Sequence, residues 1–197
     1  MPPPPEPAAT PEGPEAAADR LFAALLGAAP ATVAGFVRPV LPPAGSAETL
    51  AGRVGAGTPG GEAVLPRLRE TPGDRLLPAR PGPPADAVKA GLLLLHGDLD
   101  GAHDLAQRHE GDRDADAWHA LVHRLEGDHG NSAYWWRRVG DHPAFPIIAD
   151  AAGVAMWDPA AFADAYRRAH DAEDGKATRA VQACEFAALL AHGCGVA

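Results

Sequence analysis

The sequence predicts an all-α protein of about six or seven helices in antiparallel hairpins, as a tetratricopeptide-like array or a compact bundle, behind a disordered Pro-rich N-terminal tail. Three observations predict it. From Asp86 onward, apolar segments of helical length each stop at a glycine. A Gly-Asp pair recurs at a nearly fixed interval. Residues 115–126 space their apolar side chains at a helical period.

Composition divides the chain into three parts: a tail (1–16), a Pro/Gly-rich segment (17–85) and a helical domain (86–197). Eighteen of the 21 prolines lie in residues 1–86, whereas all nine histidines and all four tryptophans lie in residues 96–192. Residues 1–16 are low-complexity and Pro-rich. They offer little large apolar surface to offset the cost of ordering, so a polyproline-like tail is expected. Residues 17–29 read as a short Ala/Leu helix that ends before Pro30. From Pro39 to Pro84, prolines and glycines recur every few residues. That spacing allows only short helices, such as one from Ser46 to Val54 with Ser46 as N-cap. Residues 78–85, PARPGPPA, read as a linker.

The helical part follows in order. Residues 87–96 form a strongly apolar helix stopped by Gly97, and residues 99–110 one stopped by Gly111. Residues 115–126 stop at Gly127, and residues 131–139 stop at Gly140, with Asn131 as the expected N-cap. Two further helices are expected near 159–172 and 176–192. In the last, Val181, Cys184 and Ala188 share a face, which makes Cys184 a core residue. Gly97-Asp98 recurs as Gly127-Asp128, 30 residues on, and Gly111-Asp112 as Gly140-Asp141, 29 residues on. This period and layout resemble tetratricopeptide-like hairpins, although the tetratricopeptide consensus itself is not matched.

The net charge is −9 and the pI near 5.4. An acidic surface repels phosphate backbones and anionic lipid, so neither nucleic acid nor membrane is an expected partner. Residues 1–19 carry no Lys or Arg, which disfavours a secretory signal. Cys184 and Cys194 are the only cysteines. Ten residues apart on one helix, they are too distant to bridge, as in a reduced cytoplasmic protein. Residues 54–64 are Gly-rich but lack the Lys of a phosphate-binding loop, and no nucleophile elbow is present.

The chemistry concentrates between Trp118 and Phe145. On a wheel of 115–126, Trp118, Leu121, Val122 and Leu125 form an apolar stripe. His119, His123 and Glu126 line its edge, with Asp116 one turn before His119. Two imidazoles at i, i+4 can share one metal ion such as Zn, with a carboxylate one turn later as third ligand. The same groups suit acid–base chemistry with Glu126 tuning His123. The plainer alternative is a half-exposed flank with surface hydrogen bonds. On the next helix, Tyr134 and Trp135 sit where the Arg138 guanidinium can stack on them, which suits an anion clamp. The alternative there is packing of Trp136 and Val139 inward, with Arg138 paired to Glu126 or Asp128. His96 and His109 are explained by helix C-termini, and His142-Pro143 by a chain turn. His103 lies on the same helix as His109.

The segment resembles an uncharacterised bacterial family with the pattern W-H-x-x-x-H-R-x-E-x-D-x-x-N-x-x-Y-W-x-R-R-V-G-x-H-P-x-F. Here it is carried by Trp118, His119, His123, Arg124, Glu126, Asp128, Asn131, Tyr134, Trp135, Arg137, Arg138, Val139, Gly140, His142, Pro143 and Phe145. Residues 90–107 and 156–166 are similar as well, so the resemblance spans about half of the chain. It implies a shared fold and a shared polar segment, and no substrate. The expected function is a cytosolic binding module that presents His119, His123, Glu126, Trp135 and Arg138 to a small polar ligand or a peptide. The alternative is a hydrolase using His119, His123 and Glu126 as metal ligands or acid–base groups, with Arg138 holding an anionic substrate.

Overall fold

The computed structural model describes residues 13–40, 61–171 and 175–196. Among them there are eleven α-helices and no strand. The expected helix Ser46 to Val54 lies outside the described residues, as does most of the tail.

The first helix, α1 (Pro14–Ala28), starts three residues before the expected position because Pro14 occupies its first turn, where a missing N–H costs nothing. It buries Ala17, Ala18, Leu21, Phe22 and Leu25 along one face, and that face lies on α11 (Lys176–Gly193). Short helices α2 (Ala31–Val37), α3 (Gly61–Glu70) and α4 (Gly73–Leu76) follow, then α5 (Pro83–Leu95). One hydrophobic cluster runs through these elements and the later helices alike, from Ala17 to Ala191. Residues 78–85 are more than a linker. Pro83 opens α5, and the Arg80 guanidinium donates to the carbonyls of His192 and Gly193 at 3.2 and 2.8 Å.

Two hairpins come next: α5 with α6 (Leu99–Arg108), and α7 (Arg113–Leu125) with α8 (His129–Val139). The Gly-Asp pairs of the sequence are their loops. Gly97, Gly111 and Gly127 adopt φ of 81°, 92° and 83°, a conformation that ends a helix and that side chains resist. The following aspartate caps the next helix: Asp98, Asp112 and Asp128 accept the amides of Gly101, Ala115 and Asn131. Asp128 rather than Asn131 is therefore the N-cap of α8, which leaves the Asn131 side chain for another task.

Helix α9 (Phe145–Ala152) has no counterpart in the sequence reading; α10 (Pro159–Asp171) and α11 do. Helix α11 is buried on nearly every side from Ala180 to Ala191, with Cys184 fully buried as expected. Cys184 and Cys194 are not bridged to one another. Burial pushes the Cys194 thiol up to about 11, so it stays protonated. Helices α5 and α7 approach closely because Gly91 has no side chain: a Cβ there would meet the Trp118 ring at 2.5 Å. Among the described residues, no helix is long and apolar enough to cross a membrane.

Candidate metal centre

Helices α6 and α7 run antiparallel about the Gly111 turn, so residues equally far from it meet. His103 lies eight residues before Gly111 and His119 eight after. Their Nε2 atoms are 3.0 Å apart. His123, one turn beyond His119, brings a third imidazole: its ring centroid is 4.8 Å from that of His119 and 5.2 Å from that of His103. One ring nitrogen from each of the three histidines lies within 4.8 Å of the others. His119 and His123 are buried and His103 half-buried.

The same mirror rule holds about Gly127. His123 and Asn131 are each four residues from it, His119 and Trp135 each eight, Asp116 and Arg138 each eleven. All three pairs touch. The Asn131 amide lies 3.1 Å from His123 Nε2. Trp135 stacks on His119 with centroids 3.9 Å apart. Arg138 Nε lies 3.6 Å from Asp116 Oδ2.

Hydrogen bonding fixes the His123 tautomer. The Asn131 NH₂ can only donate, so His123 Nε2 accepts and carries a lone pair. The proton is on Nδ1, which donates to Glu126 Oε2 at 3.1 Å. Glu126 thus stands behind His123, where it orients the ring, as carboxylates do behind metal-bound imidazoles. It does not converge with His119 and His123 as a third ligand. The third group close to them is His103.

His119 is pushed down to about 3, first by burial and then by the neighbouring charges of His103, His123 and Arg138. It is an unprotonated imidazole at any ordinary pH. Its Nε2 and that of His103 hold one proton between them. Its Nδ1 is buried without a hydrogen-bond partner.

Arg138 stacks as the sequence suggested, 4.9 Å over the Trp135 ring and 5.8 Å from that of Tyr134, whose hydroxyl accepts from it at 3.2 Å. Its carboxylate partners differ from those expected. They are Glu110 at 3.1 Å and Asp116, and neither Glu126 nor Asp128. Trp136 and Val139 pack inward as anticipated. Arg124, another residue of the conspicuous segment, belongs to the core: it is buried in an ion pair with Glu185 of α11.

A second cluster joins Asp114 at the start of α7, His142 after α8 and His192 near the end of α11. His142 Nε2 lies 2.8 Å and His192 Nε2 3.5 Å from Asp114 Oδ1. Here the tautomer is reversed. His142 Nδ1 accepts the Ala144 amide at 3.1 Å, so Nε2 carries the proton and donates it to Asp114. No lone pair of His142 faces the cluster, and its geometry is that of a clasp between three elements. Burial works against the Asp114 carboxylate, yet the His142 hydrogen bond and the charges of His192 and Arg80 hold it below its usual range.

No family model, curated protein or solved structure matches the chain.

His103, His142, His192 and Asp114 have no place among the candidates drawn from sequence. For His103 the signal was present, in its distance from Gly111 equal to that of His119. For Asp114 and His192, 78 residues apart, there was none.

Proposed function

We propose that this protein is a helical binding module whose ligand is a divalent first-row transition-metal ion of the zinc class, held by His103, His119 and His123. The observation that carries the reading is the approach of one ring nitrogen from each of three imidazoles to within 4.8 Å of the others, with the Glu126 carboxylate bonded to His123 Nδ1. An all-imidazole set suits Zn, Cu or Ni over the oxygen-seeking Ca and Mg. The ion would replace the proton shared between His103 and His119, and protons would not compete for His119. The net charge of −9 attracts cations to the molecule. The hairpin layout is similar to that of tetratricopeptide arrays, which also bind through side chains on adjacent helices.

A hydrolytic role is the second reading. It is favoured by the count of converging ligands: three protein ligands leave a coordination position for water. Arg138 is a weaker support for it, because Glu110, Asp116 and Tyr134 already occupy its donors.

The test is isothermal titration of the chelator-treated full chain with Zn²⁺ at pH 7. One ion per chain is expected, with binding lost in His103→Ala and in His119→Ala. Absence of binding, or binding that survives both substitutions in folded protein, overturns the proposal.

A further inference from the structure

Helices α2, α3 and α4 enclose a hollow of about 690 Å³ that shares no residue with the three-histidine cluster. Arg67 of α3 and Arg75 of α4 both line it. Both side chains are exposed, so a molecule in the hollow reaches their donors. Among the described residues, neither guanidinium meets a carboxylate. Arg67 lies 4.7 Å over the Phe36 ring, which supports one face of the guanidinium and leaves its N–H edges open. The other polar groups of the lining are spent. Thr32 donates to the Leu76 carbonyl and Thr71 to that of Arg67, each at 2.7 Å. Asp74 accepts the Gly82 amide, also at 2.7 Å. The side-chain donors left on the hollow are therefore the two guanidiniums.

Charge sets the ligand class. The whole chain carries 26 acidic residues against 17 Lys and Arg, a balance that repels anions at long range. Residues 31–80 reverse it, with six arginines against four acidic residues. Salt screens exposed charges beyond about 10 Å, so the local balance decides what binds. On the hollow itself, Asp74 offsets one of the two guanidiniums and leaves one net positive charge. A single negative charge neutralises it. The volume lies within the range of about 300–1,000 Å³ typical of small-molecule clefts, so there is room for more than a bare ion. Ala31, Gly35 and Pro78 supply exposed apolar wall.

We infer that this hollow binds an organic monoanion, a carboxylate on a small apolar body. Arg67 and Arg75 hold the carboxylate, and the body lies against Ala31, Gly35 and Pro78. Guanidinium edges suit the two oxygens of a carboxylate. The site needs no metal, so it stands or falls independently of the three histidines.

Benzoate and benzamide make the test, because they are alike in shape and differ in charge. Each is titrated into the full chain at low salt and followed by ¹H–¹⁵N NMR. Benzoate should shift the amides of Thr32, Gly35, Thr71 and Leu76. It should bind about tenfold more tightly than benzamide, the worth of two partly exposed charged contacts. Arg67→Gln and Arg75→Gln should each weaken benzoate about threefold, and the double variant should bring it down to benzamide. Unshifted amides in the rest of the chain show that the variants are folded. Arg137→Gln removes the same charge outside the hollow and should leave benzoate affinity unchanged. Absence of benzoate binding, equal affinities of the two probes, or shifts confined to other amides overturn the site. A preference kept in the double variant, or a loss in Arg137→Gln equal to that in Arg67→Gln, overturns the role of the two guanidiniums.

Discussion

Replacing Glu185 by Gln removes one charge from the centre of the molecule and keeps its shape. Arg124 and Glu185 are 1% and 0% exposed, joined through the two terminal guanidinium nitrogens and both carboxylate oxygens. The guanidinium also lies 4.9 Å over Phe162 and 5.7 Å from the Trp136 ring. It is thus held between α7, α8, α10 and α11 with no route to water. Breaking a buried pair strands the remaining ion, at a cost of about 3–5 kcal/mol. The Gln amide oxygen still accepts one hydrogen bond, so Glu185→Gln should fall near the lower end, about 3 kcal/mol. The double variant Arg124→Met/Glu185→Leu removes both charges, and its loss should be small, within about 1 kcal/mol of wild type or on the stable side. The assay is urea unfolding at pH 7 followed by far-UV circular dichroism. A loss under about 1 kcal/mol in Glu185→Gln would refute the reasoning, since a stranded buried cation cannot be that cheap. A double variant worse than either single change would refute it equally.

Three further outcomes follow from the site and its scaffold. Because His119 sits far below the usual histidine value of about 6.5, its stabilising effect is full above that pH and is lost as pH falls toward 3. Between pH 7 and pH 5 this amounts to about 2 kcal/mol. Metal-free His119→Phe should show an acid loss smaller by about that amount in urea unfolding, and equal losses would count against a buried unprotonated His119. Asn131→Ala frees the His123 lone pair, so Zn²⁺ affinity by titration should rise about fivefold, the worth of one hydrogen bond; a fall would mean that Asn131 assists the site. Gly91→Ala drives a methyl into the Trp118 ring, and urea unfolding should show a loss of about 1–3 kcal/mol. An unchanged midpoint would mean that α5 and α7 are not in contact there.

Much of the fold was legible because its signals are local. Each glycine stop marks a positive-φ turn, and Asp98, Asp112 and Asp128 cap the helices that follow the first three, so the boundaries of α5 to α8 follow from neighbouring residues. Helices α3 and α9 were hidden by Pro66 and Pro146, which the helices accommodate. The wheel of α7 correctly put His119 and His123 on one edge. It did not reveal that Glu126 stands behind the histidine, because that depends on which ring nitrogen is free, and Asn131 decides this from across the hairpin. The pairings of Arg124 with Glu185 and of Asp114 with His192 form only when α11 closes on α7. No spacing rule reaches that far.

In the proposed site three imidazoles converge on one ion. X-ray absorption at the zinc edge of the loaded protein measures this directly. The prediction is three nitrogen scatterers at about 2.0–2.1 Å with the outer-shell signature of imidazole rings, falling to two in His103→Ala. A shell of oxygens alone, or an imidazole count that His103→Ala leaves unchanged, would contradict it.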